Sequence, residues 1–246
     1  MATAAHDIHT AYLVDVKGDW LRHLKDDVLE PLAAKALAHP VLRDIESGRL
    51  PKEKFTRMMA NLCWVITGFP EYVSALAARC PKNDHMVKAA LLENAYIERD
   101  HPFLLAQAVT ALGGPGDAIL DGPDWVSFDF DPYVHMLRMT IEGYVFHRPW
   151  IEGMAATAVG VESVVPAVFG RIGAAAIKHY GLTEDDAEWF HIHSGEVEME
   201  HGNEGLRVLD KYVADDDLDT QAACIAAARL VSDGIGVGLF DAVGRW

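Results

Sequence analysis

Apolar residues recur every three or four positions over most of this chain, the spacing of side chains that share one face of an α-helix. From Tyr12 to Ala38 the apolar set Trp20, Leu21, Leu24, Val28, Leu32 and Ala36 predicts one or two helices, with Pro31 kinking or dividing them. His39-Pro40 opens a short helical turn that the segment ESGRL closes, and Pro51 suits the first position of the next helix. That helix is expected over Lys52 to Cys80, with the stripe Phe55, Met59, Leu62, Ile66, Phe69, Val73 and Leu76 and a kink at Pro70. Asp84 is placed to cap a helix from His85 to Leu112, which Gly113-Gly114 stops. Residues 113–131 lack periodicity and are long for a plain connection, so they are expected to cover the mouth of a site. Asp131-Pro132 starts a helix to His147, and a further helix is predicted from Ile151 to Tyr180. Thr183 and Asp186 have the spacing of a capping box, opening a helix that runs on to Val213. After the acidic loop ADDDLDT, the last helix spans Thr220 to Val243, its many small residues suited to close packing.

Three of these apolar seams are interrupted by residues that a packed face should exclude. The stripe Val87, Leu91, Ala95, Leu105, Ala108 carries Glu98 and His101, and the stripe Ala155, Ala158, Val165, Phe169 carries Glu162. A buried carboxylate is costly unless paired or metal-bound. Glu98 and His101 stand in the Glu-x-x-His spacing by which helices present metal ligands into a bundle, although a Glu–His hydrogen bond alone would also satisfy them. Pro102 lies four residues after Glu98, and Pro166 four after Glu162, so at both places a backbone carbonyl loses its helical donor. The third interruption is FHIHSGEVEMEH, residues 190–201, with His193, Glu198 and His201. Glu198 and His201 project roughly 60° apart on a helix and can share a face, whereas His193 falls about 140° from Glu198 unless an extra-residue bulge near Gly195 turns it inward. A solvated acidic helix with stray histidines is the competing reading of this segment, since Glu196 and Glu200 are charged as well.

Composition narrows the field. With 246 residues, half of them hydrophobic, the chain is expected to form one globular domain over 1–246. A formal charge of −16 and the lack of clustered Lys and Arg argue against a nucleic-acid partner and against an anionic membrane surface. Cys63, Cys80 and Cys224 are distant from one another and set among apolar residues, which fits buried thiols in a reducing compartment. The start of the chain has neither a basic run nor a continuous apolar one, and no segment reads as the ~20 apolar residues a membrane span needs, so a cytoplasmic location is expected. No glycine-rich phosphate loop, Ser-His-Asp signature or CxxC pair is present. Three carboxylates and three imidazoles form a donor set too hard for copper–thiolate chemistry and more anionic than one metal usually needs, and it suits two ferrous or manganous ions. Open positions on such ions suit dioxygen as co-substrate.

The segments HPVLRDIESGRLPKEKF, FPEYVSALAARCP, LLENAYIERDH with Glu98 and His101, VGVESVVPAVF with Glu162, and the final His-rich helix resemble the haem-oxygenase-like superfamily, which also holds thiaminase II and pyrroloquinoline quinone synthase. Within it the ligand pattern is most similar to the haem-oxygenase-like diiron oxidases, a group that includes a terminal-alkene-forming fatty-acid decarboxylase and several amino-acid-modifying oxygenases. The resemblance covers His39 to about Leu209. It implies an all-α seven-helix fold, a two-iron site using dioxygen, and a homodimer. With the bulge near Gly195 that would turn His193 inward, the resemblance makes Glu98, His101, Glu162, His193, Glu198 and His201 the expected ligands. Two departures stand out. The family's third ligand helix usually reads His, three residues, Asp, two residues, His; here Ser194 occupies the first of those positions, His193 precedes it and Glu198 replaces the Asp, with His191 a more distant candidate. Asn94 stands where some members carry their first acid, leaving that task to Glu98, with Glu93 off the best stripe. The substrate is expected to be a small metabolite, a carboxylate or amino-acid-derived compound, lying against Trp64, Phe69, Tyr72, Tyr144 and Phe146, with Arg148 or Arg138 anchoring a carboxylate. Two alternatives stand beside this reading: a cofactor-independent enzyme of the same fold, like pyrroloquinoline quinone synthase or thiaminase II, and a non-catalytic metal-binding helical protein.

Overall fold

Proline spacing decides where the long helices end. A computed structural model describes residues 18–81, 83–122, 130–162, 164–194 and 196–246, with the side chains of 167 and 196–201 outside the description. Among the described residues every regular element is a helix. In chain order these are α1 (19–37), α2 (Pro40–Glu46), α3 (Lys52–Ile66), α4 (Phe69–Arg79), α5 (His85–Glu98), α6 (His101–Ala111) and the short α7 (Gly116–Leu120). They continue with α8 (132–147), α9 (150–159), α10 (165–180), α11 (Glu188–Ile192), α12 (Glu196–Tyr212) and α13 (Leu218–Arg245).

Three helices expected to be continuous are each broken in two. Lys52–Cys80 divides at Thr67-Gly68, His85–Leu112 at Arg99-Asp100, and Ile151–Tyr180 into a helix that ends at Val159 and one that starts at Val165. In each case a proline, Pro70, Pro102 or Pro166, sits in the first turn of the helix that follows. The missing N–H and the ring's clash with the carbonyl four residues earlier fall on Ile66, Glu98 and Glu162, and they end the helix where the sequence predicts a kink or distortion at each proline. Two of those three carbonyls belong to buried acids. The expected helix from Thr183 to Val213 is likewise interrupted. Its capping box forms, with Asp186 N–H donating to Thr183 Oγ1 at 3.1 Å and Thr183 N–H to Asp186 Oδ2 at 3.0 Å. Helix α11 then stops at Ile192 and α12 begins at Glu196.

Caps behave as their residues dictate. Asp84 accepts from Val87 N–H at the start of α5, and Asp131 from Tyr133 N–H at the start of α8. Wider π-helical turns end α8, α9 and α10, including Ala155–Val159 just before Glu162.

Helix α13 corrects one reading of the sequence. Leu218–Arg245 is long and apolar enough to cross a membrane by length and composition, yet 67% of its most apolar window is buried inside the protein. Its small residues let α1, α9 and α10 pack against it: a Cβ on Gly236 would stand 2.7 Å from Val164 Cγ1 and 3.3 Å from Ala36 Cβ. The apolar interior forms one connected cluster from Trp20 to Val243. Against it, α11 packs on α6 and α10, while α9 lies between α12 and α13.

Candidate metal centre

The break between α5 and α6 places two candidate ligands on either side of a two-residue link. Glu98 is the last residue of α5 and His101 the first of α6, and His101 Nδ1 lies 2.7 Å from Glu98 Oε2. His193 reaches the same spot from the end of α11, its ring edge-on to that of His101 with centroids 4.6 Å apart. Glu98, His101 and His193 each offer a ligand atom within 4.8 Å of the others. Glu162, in the turn after α9, lines a cavity with Glu98, His193, Phe69 and Trp189 that has about 10 Å³ of free room. All four are buried: Glu98 is 2% exposed, His101 4%, Glu162 3% and His193 6%.

The side chains around these groups fix their chemistry. His193 Nδ1 lies 2.7 Å from the backbone carbonyl of Trp189, which can only accept, so Nδ1 carries a proton and Nε2 is the nitrogen that the neutral ring would offer as a ligand. The Trp189 indole stacks on the same ring at 4.2 Å and holds its plane. Glu98 Oε1 is buried and, among the described residues, has no hydrogen-bond partner. A carboxylate oxygen so placed forfeits its hydration without compensation, the condition a cation would relieve. Carboxylate oxygen and imidazole nitrogen are donors suited to ferrous iron, and the walls of Ile66, Phe69, Val161 and Val165 keep bulk water away.

A family model described as iron-containing redox enzyme matches residues 61–234, more than two thirds of the chain, and that span holds the whole cluster. The chain belongs to this family. No curated protein matches it. Among solved structures it is similar to a TenA homologue from Pseudomonas syringae pv. tomato, at 16% identity and a TM-score of 0.79, covering 93% of this chain and 94% of that one. A haem-oxygenase-like domain of unknown function from Shewanella denitrificans aligns at 13% identity and a TM-score of 0.72, over 95% and 93% of the two chains. A TenA homologue from Pyrococcus furiosus aligns at 14% and 0.69, over 91% and 99%. Among the described residues, the fold of this member of the iron-containing redox enzyme family is therefore haem-oxygenase-like and all-helical.

The other expected site residues fall in several places. Glu198 and His201 lie on α12, but their side chains, and the bulge expected at Gly195, are outside the described residues. His191 is exposed and pairs with Glu184 at 3.0 Å, Ser194 is exposed and donates to the His191 carbonyl, and Glu93 is exposed. Of the proposed substrate contacts, Phe69 lines the cavity beside Glu98 and Glu162. Trp64 is buried beneath the Arg138 guanidinium, 3.6 Å from its ring centroid, and Tyr72 is buried with its hydroxyl donating to Glu142 at 3.3 Å. Burial pushes the Tyr72 phenol above its ordinary range. Phe146 is exposed and edge-on to Tyr72, and Tyr144 is half-buried. Both candidate arginines are engaged by internal acids, Arg138 with Glu142 at 2.8 Å and Arg148 with Glu152 at 2.9 Å. Trp189 was missed by the sequence reading. Its signal was its position four residues before His193, one helical turn away.

Proposed function

We propose that the protein is a non-haem diiron enzyme that uses dioxygen to oxidise a small metabolite, a carboxylate or an amino-acid-derived compound. The observation that carries this reading is the buried cluster of Glu98, His101 and His193, with a Glu98 Oε1 that no described residue pairs, inside a chain of the iron-containing redox enzyme family. Glu98, His101 and His193 would hold iron, Glu162 borders the same cavity, and Glu198 and His201 on α12 are the residues proposed to complete a second ion's donors. Iron bound there would supply the redox chemistry with dioxygen that no protein side chain offers on its own.

The chain's own part is positioning and exclusion. The Trp189 carbonyl holds the Nδ1 proton of His193 and so presents Nε2, while Trp189 fixes the ring face. Glu98 Oε2, 2.7 Å from His101 Nδ1, sets a negative charge beside that ring. The apolar walls lower the local dielectric and strengthen each electrostatic contact inside. A TenA-like enzyme with a thiol nucleophile is disfavoured by the cysteines. All three are buried, and burial pushes Cys63 and Cys224 up to about 12, leaving almost no thiolate at neutral pH.

Anaerobic titration with ferrous and, separately, manganous ions tests the reading, followed by an oxygen pulse with and without candidate carboxylates and amino acids. Uptake of two iron equivalents and oxygen consumption that depends on the organic additive are expected. Failure to take up iron sinks the proposal, and uptake without additive-dependent oxygen consumption leaves a metal-holding protein instead.

A further inference from the structure

A second cavity, of about 250 Å³, opens between α5, α9 and α12. Asn94 lines it from α5, one turn or about 6 Å of helix before Glu98. Ala158 lines it from α9, four residues before Glu162, and Gly205 from α12, four residues after His201. All three elements therefore lead from a candidate ligand position to this cavity within a few residues.

The lining has a consistent polarity. Met86, Val87, Leu91, Met154 and Val208 give it an apolar body. At one place the helices meet backbone to backbone, since a Cβ on Gly205 would stand 2.8 Å from the Ala158 carbonyl oxygen. Glu204 and Arg207, both exposed residues of α12, supply the charges in the lining. Their three-residue spacing puts them on one face of the helix, with roughly 5–6 Å between Cβ atoms. At about 30 Å³ per water-sized group the cavity admits roughly eight such groups, the bulk of an aromatic or extended aliphatic side chain. A carboxylate-only ligand leaves Glu204 opposing it, and an amine-only ligand leaves Arg207 opposing it.

Resting on the iron reading above, we propose that this cavity is the substrate chamber and that its ligand is an apolar α-amino acid. The carboxylate lies toward Arg207, the ammonium toward Glu204, and the side chain enters the apolar body. The charged ends stay at the rim and the side chain runs between α5, which ends at Glu98, and α9, which leads into the turn of Glu162.

Calorimetric titration of the full chain, iron-free and again loaded anaerobically with ferrous iron, tests this with three probes. These are L-phenylalanine, 2-phenylethylamine, which lacks the carboxylate, and 3-phenylpropanoate, which lacks the ammonium. L-phenylalanine should bind roughly tenfold tighter than either, the scale of one charge-assisted hydrogen bond. Arg207→Gln should erase its advantage over 2-phenylethylamine, and Glu204→Gln its advantage over 3-phenylpropanoate. Ala90→Trp, filling the cavity from α5, should weaken all three while leaving iron uptake intact. Ala90→Leu, a smaller intrusion, should do the same to a lesser degree and guards against misfolding of the larger variant. Equal affinity for the three probes, no binding at all, or unchanged binding in a folded Ala90→Trp protein overturns the inference. Iron uptake without L-phenylalanine binding defeats this inference alone, and L-phenylalanine binding without iron uptake defeats the metal reading alone.

Discussion

Two acids at opposite ends of α5, its cap Asp84 and its last residue Glu98, show how differently a carboxylate can be used. Asp84, at the start of the helix, has both oxygens satisfied: Oδ1 accepts from Val87 N–H at 3.2 Å, and Oδ2 receives Tyr212 Oη and Lys211 Nζ, each at 2.5 Å. Glu98, at the other end, meets His101 with one oxygen and leaves the other without a hydrogen-bond partner among the described residues. Asp84 therefore serves the fold, whereas the uncompensated oxygen of Glu98 is the kind of local rule-breaking expected at a functional position. The Lys211 and Tyr212 hydrogen bonds hold the Asp84 carboxyl down from its ordinary 3.8 to about 2. A depressed folded-state pKa stabilises above the unfolded value and is lost as pH falls through the folded one, so the contribution is full above about pH 4 and fades toward pH 2. Asp84→Asn keeps a capping side chain but loses the ion pair. Thermal melts should place the variant a few degrees below the parent at neutral pH, the two converging near pH 2. A gap that stayed constant across that range would show that Asp84 acts through something other than its charge.

At the scale of elements, the helices were legible because their apolar residues keep a 3.6-residue period, and their breaks were only half legible. Pro70, Pro102 and Pro166 announced distortion, but periodicity continues smoothly across each of them, as Ala95, His101 and Leu105 show, so a kink and a full break write the same pattern. Glu98, His101 and Glu162 stood out because each interrupts an apolar seam. Trp189 and the cavity between α5, α9 and α12 did not, because a stacked aromatic and a gap between helices look like core in one dimension. The break at Arg99-Asp100 has a consequence for the site. It ends α5 at Glu98 and restarts the chain at His101, letting both side chains converge instead of staying fixed at a helical offset. Pro102→Ala restores the N–H that could reach the Glu98 carbonyl and draw the two helices into one. Iron affinity is expected to fall by roughly tenfold or more, the scale of lost support around a metal ligand, while Tm changes little. Equal losses in both would mean that the proline serves packing, and an unchanged iron affinity would mean that the break does not depend on it.

For the whole molecule, the three converging donors come from distant parts of the chain: Glu98 and His101 from the α5–α6 link, and His193 from the far end of α11, some ninety residues later. The unfolded chain cannot bring them together, so a cation held by all three binds the native state and adds to its stability. At a hundredfold excess over Kd that linkage is worth about 2.7 kcal/mol. For a chain of this size it corresponds to a rise in Tm of roughly 5–10 °C. Anaerobic melts with ferrous iron should show this rise, and a chelator should reverse it. The net charge of −16 offers a competing explanation, because a cation condensed on an acidic surface could also raise Tm. Glu98→Gln separates the two. It removes one buried charge while leaving the exposed acids in place, and its neutral amide can still accept from His101. The iron-free variant should therefore melt no lower than the parent, in keeping with the cost of a buried carboxylate that lacks a full set of partners. The iron-induced rise should shrink to the small shift produced by magnesium. If Glu98→Gln keeps the full iron shift, iron is bound elsewhere on the protein and the buried cluster is a structural polar pair.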